Sequence, residues 1–464
     1  MRLPDISVKR PVAVTMIFLI VILLGAVSLS NLNMDLFPEL NLPMAIAITN
    51  YEGVGPEEIE NLVTRPLESV LGTVNGVENI SSTSSLGSSM IMMEYDWGTD
   101  MNFAVNQMRE KIDLLAGSLP TDSGKTTIFK LDINLMPVIQ LGFSGDMDLE
   151  QLNILATDVI QPRLERVVGV ATVGVQGGVE KEIRISAVPQ RLQAYGVTLD
   201  RIISYLRAEN RNVSAGTVEE GLREHVVRVT GEFGDIRDIE NIQIPLNTGG
   251  TTRLAELANV EDTLRERNVY VYMNGKPSVQ LSIQKQTDAN TVKVSDAVNR
   301  ELDEIRKILP PGTEIIAGFD QAEFIRLSMN NVTKNILIGG VLAIVVLLLF
   351  LRNFRSALII GLAIPISIVS TFALMYFGGL TLNLISMGGL ALGVGMMVDN
   401  AIVIMENIYR FQQEGYSRLE AARKGANEVG VAIMASTLTT VAVFLPIVFV
   451  QGMASQIFRP MALT

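Results

Sequence analysis

The chain has 464 residues, of which 48% are hydrophobic and 19% charged, and it carries a formal net charge of -12. That acidity excludes the basic face with which a nucleic-acid binder displaces counterions, and the absence of cysteine excludes disulfides, thiolate metal sites and cysteine nucleophiles. The charges crowd into about residues 31–330, between two nearly charge-free ends, so a membrane protein with an acidic domain outside the cell is expected.

A transmembrane helix needs roughly 20 apolar residues to cross a hydrocarbon core of about 30 Å. Residues 12–29 are the first candidate, behind Arg2, Lys9 and Arg10. Ser28-Leu29-Ser30 resembles a cleavage site, but the apolar run exceeds that of a signal peptide. A retained first span, residues 1–31, is therefore expected.

Between the first two spans, short β-branched runs alternate with amphipathic helices, the pattern of an α+β layer. Strand 44–51, helix 56–72, strands 77–82 and 88–95 and helix 100–116 make a first pass, assigned to residues 32–135. Strand 137–143, helix 149–166 and strand 170–175 begin a second, completed only at strand 278–286, helix 291–308 and strand 313–318. Both passes carry a proline within a helix (Pro66, Pro162), and a Gly-Val pair (Gly76-Val77, Gly169-Val170) opens the strand that follows. Glycine there accepts the left-handed conformation that closes a helix. An internal duplication of two ferredoxin-like units is expected, the second split into 136–180 and 268–330 by an inserted subdomain, 181–267.

Residues 331–464 hold four more candidate spans, at 332–351, 357–377, 384–408 and 431–450. Arg352 and Arg355 fall in one inside loop, and Arg410, Arg418, Arg423 and Lys424 in the next. With the amino terminus inside, this obeys the positive-inside rule. Residues 31–330 are then outside, and so is the end of the chain beyond Arg459 and Pro460, so a longer parent protein with a sixth span is expected.

The fourth span carries the chemistry. The run from Gly388 to Asn400 places Asp399 and Asn400 well inside the bilayer, where an ionised carboxylate costs several kcal/mol by common estimates, roughly 3 on insertion scales. Desolvation raises an aspartate's pKa and a nearby cation lowers it. An acid whose partner helix moves can thus load a proton on one side and release it on the other. Gly389 and Gly393, at GxxxG spacing, let another helix approach, and such a neighbour is expected to supply the cation. The competing reading is a structurally satisfied acid.

Met397-Val398-Asp399-Asn400-Ala401-Ile402-Val403 followed by Glu406-Asn407 resembles the fourth-span motif of resistance-nodulation-division exporters of the hydrophobe/amphiphile efflux, acriflavine-resistance-like type. Arg10-Pro11, Phe37-Pro38, Leu351-Arg352-Asn353-Phe354-Arg355 and Phe444-Leu445-Pro446 match as well. The resemblance implies the amino-terminal half of a proton antiporter for drugs, surfactants or lipids. Asp399 is implied as proton carrier, with Asn400 and Glu406 completing the relay. It also implies two porter subdomains, a docking or funnel subdomain at 181–267, and a bacterial inner-membrane location. The implied partners are membrane lipid, a homotrimer, a periplasmic adaptor with an outer-membrane channel, and a small amphiphilic substrate. The implied energy source is the proton-motive force, with no cofactor, metal or nucleic acid and no enzymatic step.

Two departures qualify this likeness. Asn400 stands where drug exporters usually carry a second aspartate, and an amide hydrogen-bonds but does not titrate. The insertion is short around 221–234, where drug pumps extend an arm into a neighbouring subunit. Met136 and Gln176 occupy the positions of substrate-lining aromatics, which suits lipids or surfactants better than flat drugs. Gly117 and Gly124, followed by Lys125-Thr126, are too widely spaced for a phosphate loop. His225 has no second imidazole, and Asn79, Asn212 and Asn331 open triplets common by chance. The 21 methionines are ordinary filling of helices and flexible cores. The readings in competition are a heavy-metal exporter, a protein-translocation accessory and a non-transporting scaffold.

Overall fold

The computed structural model describes the chain except residues 1–2, 39, 116, 133–135, 212, 221–222, 230, 247–248 and 352–353. Arg352 and Asn353 of the inside-loop motif, and Asn212 and Gly221, thus lie outside the described residues. A short helix α1 (Leu3–Lys9), not expected from the sequence, breaks at Arg10 before α2 (Pro11–Asn31). Proline at a helix's first position costs no hydrogen bond and sets the φ angle. That is why the new helix starts at Pro11.

The first α/β unit contains β1 (Met44–Asn50), α3 (Pro56–Ile59), α4 (Arg65–Leu71), β2 (Val77–Ser85), β3 (Ser88–Tyr95), α5 (Met101–Leu115) and β4 (Thr127–Lys130). The second contains β5 (Ile139–Gly145), α6 (Leu149–Ile154), α7 (Gln161–Glu165) and β6 (Val170–Gln176) before the insertion. In each, a π turn joins the two helical pieces, at Glu60–Thr64 and Leu155–Ile160. The cause is the shared proline: Pro66 and Pro162 have no N–H to donate back one turn, and widening the turn relieves the ring's clash.

The insertion runs through β7 (Lys181–Ala187), α8 (Pro189–Tyr195), α9 (Leu199–Glu209), β8 (Val213–Glu220), β9 (Arg223–Val229), α10 (Ile236–Glu240), β10 (Gln243–Pro245), β11 (Thr251–Arg253) and β12 (Ala258–Leu264). Its ends meet, because β7 pairs antiparallel with β12 from Lys181–Leu264 to Ala187–Ala258. It buries a core of its own, including Ile202, Ile244, Leu254 and Leu257. The hairpin β13 (Tyr272–Met273) and β14 (Lys276–Pro277) leads back to β15 (Val279–Lys285), α11 (Thr291–Ile308) and β16 (Thr313–Asp320).

The two sheets share one strand order. The first reads β2-β3-β1-β4 and the second β6-β15-β5-β16, so in both the sequence of strands within the unit is second, third, first, fourth. Alternate residues of each central strand are buried, as in β15, where Val279, Leu281 and Ile283 are fully buried beneath the helices. Strand β4 closes the first sheet against Ala45–Ile48.

Among the described residues, five helices are long and apolar enough to cross a membrane: α2, α12 (Gln321–Leu351), α13 (Phe354–Phe377), α14 (Leu384–Gln413) and α15 (Arg418–Phe449). The second begins earlier than its apolar run suggests. β16 passes at Asp320 directly into α12, whose Ala322 and Ile325 are buried against the second unit. A last helix α16 (Met453–Leu463) follows the fifth span.

Candidate functional site

Helix α14 starts at a fixed point. Asn383, 1% exposed, accepts hydrogen bonds from the main-chain amides of Ile385 and Ser386, and Ser386 Oγ accepts from the amide of Asn383. This reciprocal cap satisfies amides that have no partner inside the helix. One turn on, a Cβ at Gly389 would stand 2.6 Å from the Met461 carbonyl oxygen, so the α16 backbone rests on the bare glycine. Gly393 faces open space.

Deeper along α14, Val398, Ala401, Ile402 and Met405 pack around Ala357 and Ile360 of α13, together with Ile344 and Leu348 of α12. The other face is uncovered. Leu392, Met396, Asp399, Val403 and Glu406 are all exposed, and their spacing of four and three residues places them on one stripe. Asp399 and Glu406 are therefore two turns apart on the same unpartnered face, about 10 Å along the axis. Neither carboxylate has a hydrogen bond or ion pair among the described residues. Asn400 is half-buried beside this stripe. The described cations within α12 are Arg326, paired with Asp296 of the second unit, and Lys334; Lys334 lies next to Thr333, which shares a groove with Leu29 at the outer end of α2.

The inner end of α14 is held by a cluster in which Asn407, Arg410 and Arg423 were read from the sequence only as motif and inside-loop positions, and Asp5, Gly425, Asn427 and Glu428 not at all. Asn407, 8% exposed, donates to the Gly425 carbonyl at 2.8 Å and to Glu428 Oε2 at 3.2 Å. Arg410 reaches the same carboxylate at 2.7 Å. Helix α1 joins in: Asp5 accepts from Asn427 at 3.2 Å and pairs with Arg423 at 3.6 Å. The small residue Gly425, which allows α15 to touch α14, was the available signal.

Met136 and Gln176 are not brought together. Met136, largely exposed, lines a cavity of about 220 Å³ with Asp35, Lys285, Asp288 and Gln321, at the end of the second unit nearest the membrane helices. Gln176 lines a separate cavity of about 250 Å³ with Asn153, Glu180 and Arg265. Register explains the separation. Gln176 is level with Gly142, across β15 from it, while Met136 lies three residues ahead of Ile139, the first residue of β5, so the two stand at opposite ends of the sheet. His225 falls on β9 opposite Val218. No group of three potential metal-ligating side chains occurs among the described residues.

Comparison with known proteins adds a second line. The profile described as the AcrB/AcrD/AcrF family matches residues 3–464. The chain is similar to multidrug resistance protein MdtC of Pantoea ananatis (strain AJ13355), with 31% identity over 466 aligned positions that cover 100% of this chain and 46% of that protein. It is 30% identical to the proteins of the same name from Shigella flexneri and Escherichia coli (strain K12 / DH10B), with the same coverage. The chain thus spans about half the length of the curated relatives it matches.

Proposed function

Because the chain belongs to the AcrB/AcrD/AcrF family, within the resistance-nodulation-division transporters, we propose that the whole protein exports amphiphilic compounds in exchange for protons, with Asp399 as the proton carrier. The observation that carries this reading is the uncovered stripe of α14, on which an acid without a partner stands among apolar side chains. A carboxylate at membrane depth either takes up a proton or meets a cation. The helix that covers the stripe brings that cation, and its approach and retreat switch Asp399 between the two states. Asn400 hydrogen-bonds beside it, and Glu406 shapes the inner end of the path.

The remaining assignments follow from the same reading. The two α/β units are ferredoxin-like porter subdomains, and 181–267 is the docking subdomain. The helices lie in the bacterial inner membrane with 31–330 outside. The whole protein works as a homotrimer with a periplasmic adaptor and outer-membrane channel, on membrane potential and pH difference alone. A potential of 100 mV supplies about 2.3 kcal/mol per charge. The shared name of the relatives, multidrug resistance protein, supports an amphiphile as cargo. Met136 and Gln176, at two ends of one sheet, are successive points along its route.

The test is amphiphile-driven proton flux by the whole protein in vesicles with an imposed pH gradient. Asp399→Asn should abolish flux at normal assembly; unchanged flux would leave the chain a scaffold.

A further inference from the structure

The linker that follows the first span is clasped from both sides. On one side, the Asp35 amide donates to the Leu382 carbonyl at 3.2 Å and the Leu382 amide to the Asn33 carbonyl at 2.8 Å, forming a parallel bridge between Met34 and Leu382. Leu382 immediately precedes Asn383, the capping residue of α14. On the other side, the ammonium of Lys285, at the end of β15, lies 3.3 Å from Asp35 Oδ1. Thr291 Oγ1 donates to the same oxygen at 2.8 Å, and Asn290 Nδ2 donates to the Leu32 carbonyl at 3.3 Å.

This ion pair differs from the others on the outer domain. The Lys285 side chain is 6% exposed and that of Asp35 20%, and the ammonium also donates to the carbonyls of Ala289 at 2.9 Å and Thr287 at 3.3 Å. An exposed pair slides and exchanges with water at little cost. A buried one with its hydrogen bonds filled does not, because parting leaves a charge without solvent or partner.

We infer that Asp35 and Lys285 are positioning residues that carry a displacement of α14 into the second α/β unit. The inference rests on the proton-exchange reading, and takes the relative movement of α14 and its covering helix to be carried in part by α14. The start of α14, the linker and the lower end of β15 then shift as one body. The unit is also continuous with α12 through Asp320–Gln321. A movement of α14 relative to α12 therefore tips the sheet between its two attachments.

Spin-label distances in the whole protein, reconstituted in lipid, test this. One pair, at Gln413 and Leu349, reports α14 against α12. A second, at Val168 and Leu374, reports the second unit against α13. Asp399→Asn, standing for the protonated acid, should shift both distances. With Lys285→Met added, the first shift should persist and the second vanish; Asp35→Asn, a milder change, should do the same. Exchanging the charges, Asp35→Lys with Lys285→Asp, should restore the second shift. Persistence of the second shift in both single variants overturns the joint, as does its absence when the pair is intact, and either leaves the proton reading standing. If Asp399→Asn moves neither distance, the proton reading fails and the joint with it.

Discussion

The side-chain amide of Asn407 donates to the main-chain carbonyl of Gly425 at 2.8 Å, locking α14 to α15 one residue beyond Glu406 and at the inner end of the stripe that carries Asp399. The approach needs the missing side chain, since a Cβ at Gly425 would stand 2.9 Å from the Ile408 Cα.

Asn407→Ala should lower the stability of the helix pair by about 1 kcal/mol, the net worth of a hydrogen bond to a carbonyl that keeps its partner within α15. Thermal unfolding of the whole protein in detergent reads this out. A variant as stable as wild type would show that the contact contributes nothing.

Gly389→Val should be worse tolerated than Gly393→Val. The first drives a side chain into the Met461 backbone, a shift costing about 1–3 kcal/mol, while the second meets open space. Proteolytic release of α16 should rise for the first variant only.

Val403→Trp enlarges the exposed stripe midway between Asp399 and Glu406. It should hold off the covering helix and cut proton-coupled flux at least tenfold at unchanged expression. Ile402→Val, on the packed face, should leave flux within about twofold and cost about 1 kcal/mol of stability.

Burial pushes the Tyr95 hydroxyl from its ordinary 10 up to about 12. The folded state therefore holds this proton more tightly than the unfolded one. Its contribution is fully present below pH 10 and is lost as pH rises from there towards 12. Alkaline unfolding of the whole protein should steepen over that window, and Tyr95→Phe should flatten it. Identical alkaline profiles for the two proteins would refute the assignment.

The candidate spans and the α+β character of the outer domain were legible because each rests on a local signal: apolar length for the helices, and short strands alternating with amphipathic helices, with a repeated proline and Gly-Val pair, for the sheets. Strand β4 escaped because its four residues, Thr127–Lys130, are too few to show alternation, and its place comes from pairing with β1. Helix α1 reads as a charged flank, and α16 as a tail broken by Pro460. Asp399 was legible because a carboxylate in an apolar run is locally anomalous. The face it occupies required the packing of Val398 and Ile402 on α13. The pairing of Asp35 with Lys285 joins positions some 250 residues apart that share no pattern, and only the folded chain brings them together.

The unbroken passage from β16 into α12 removes the flexible connection that usually separates a soluble domain from its anchor. Of the 31 residues of α12, the apolar run 332–351 extends about 30 Å at the ordinary helical rise, the depth of a typical hydrocarbon core, and the turns before it stand against the second unit. A spanning helix adapts to a thinner bilayer by tilting, and here the sheet must tilt with it. In short-chain lipid the outer domain of the whole protein should therefore stand at a different tilt than in long-chain lipid, which distances between labels on the sheet and the bilayer surface would read.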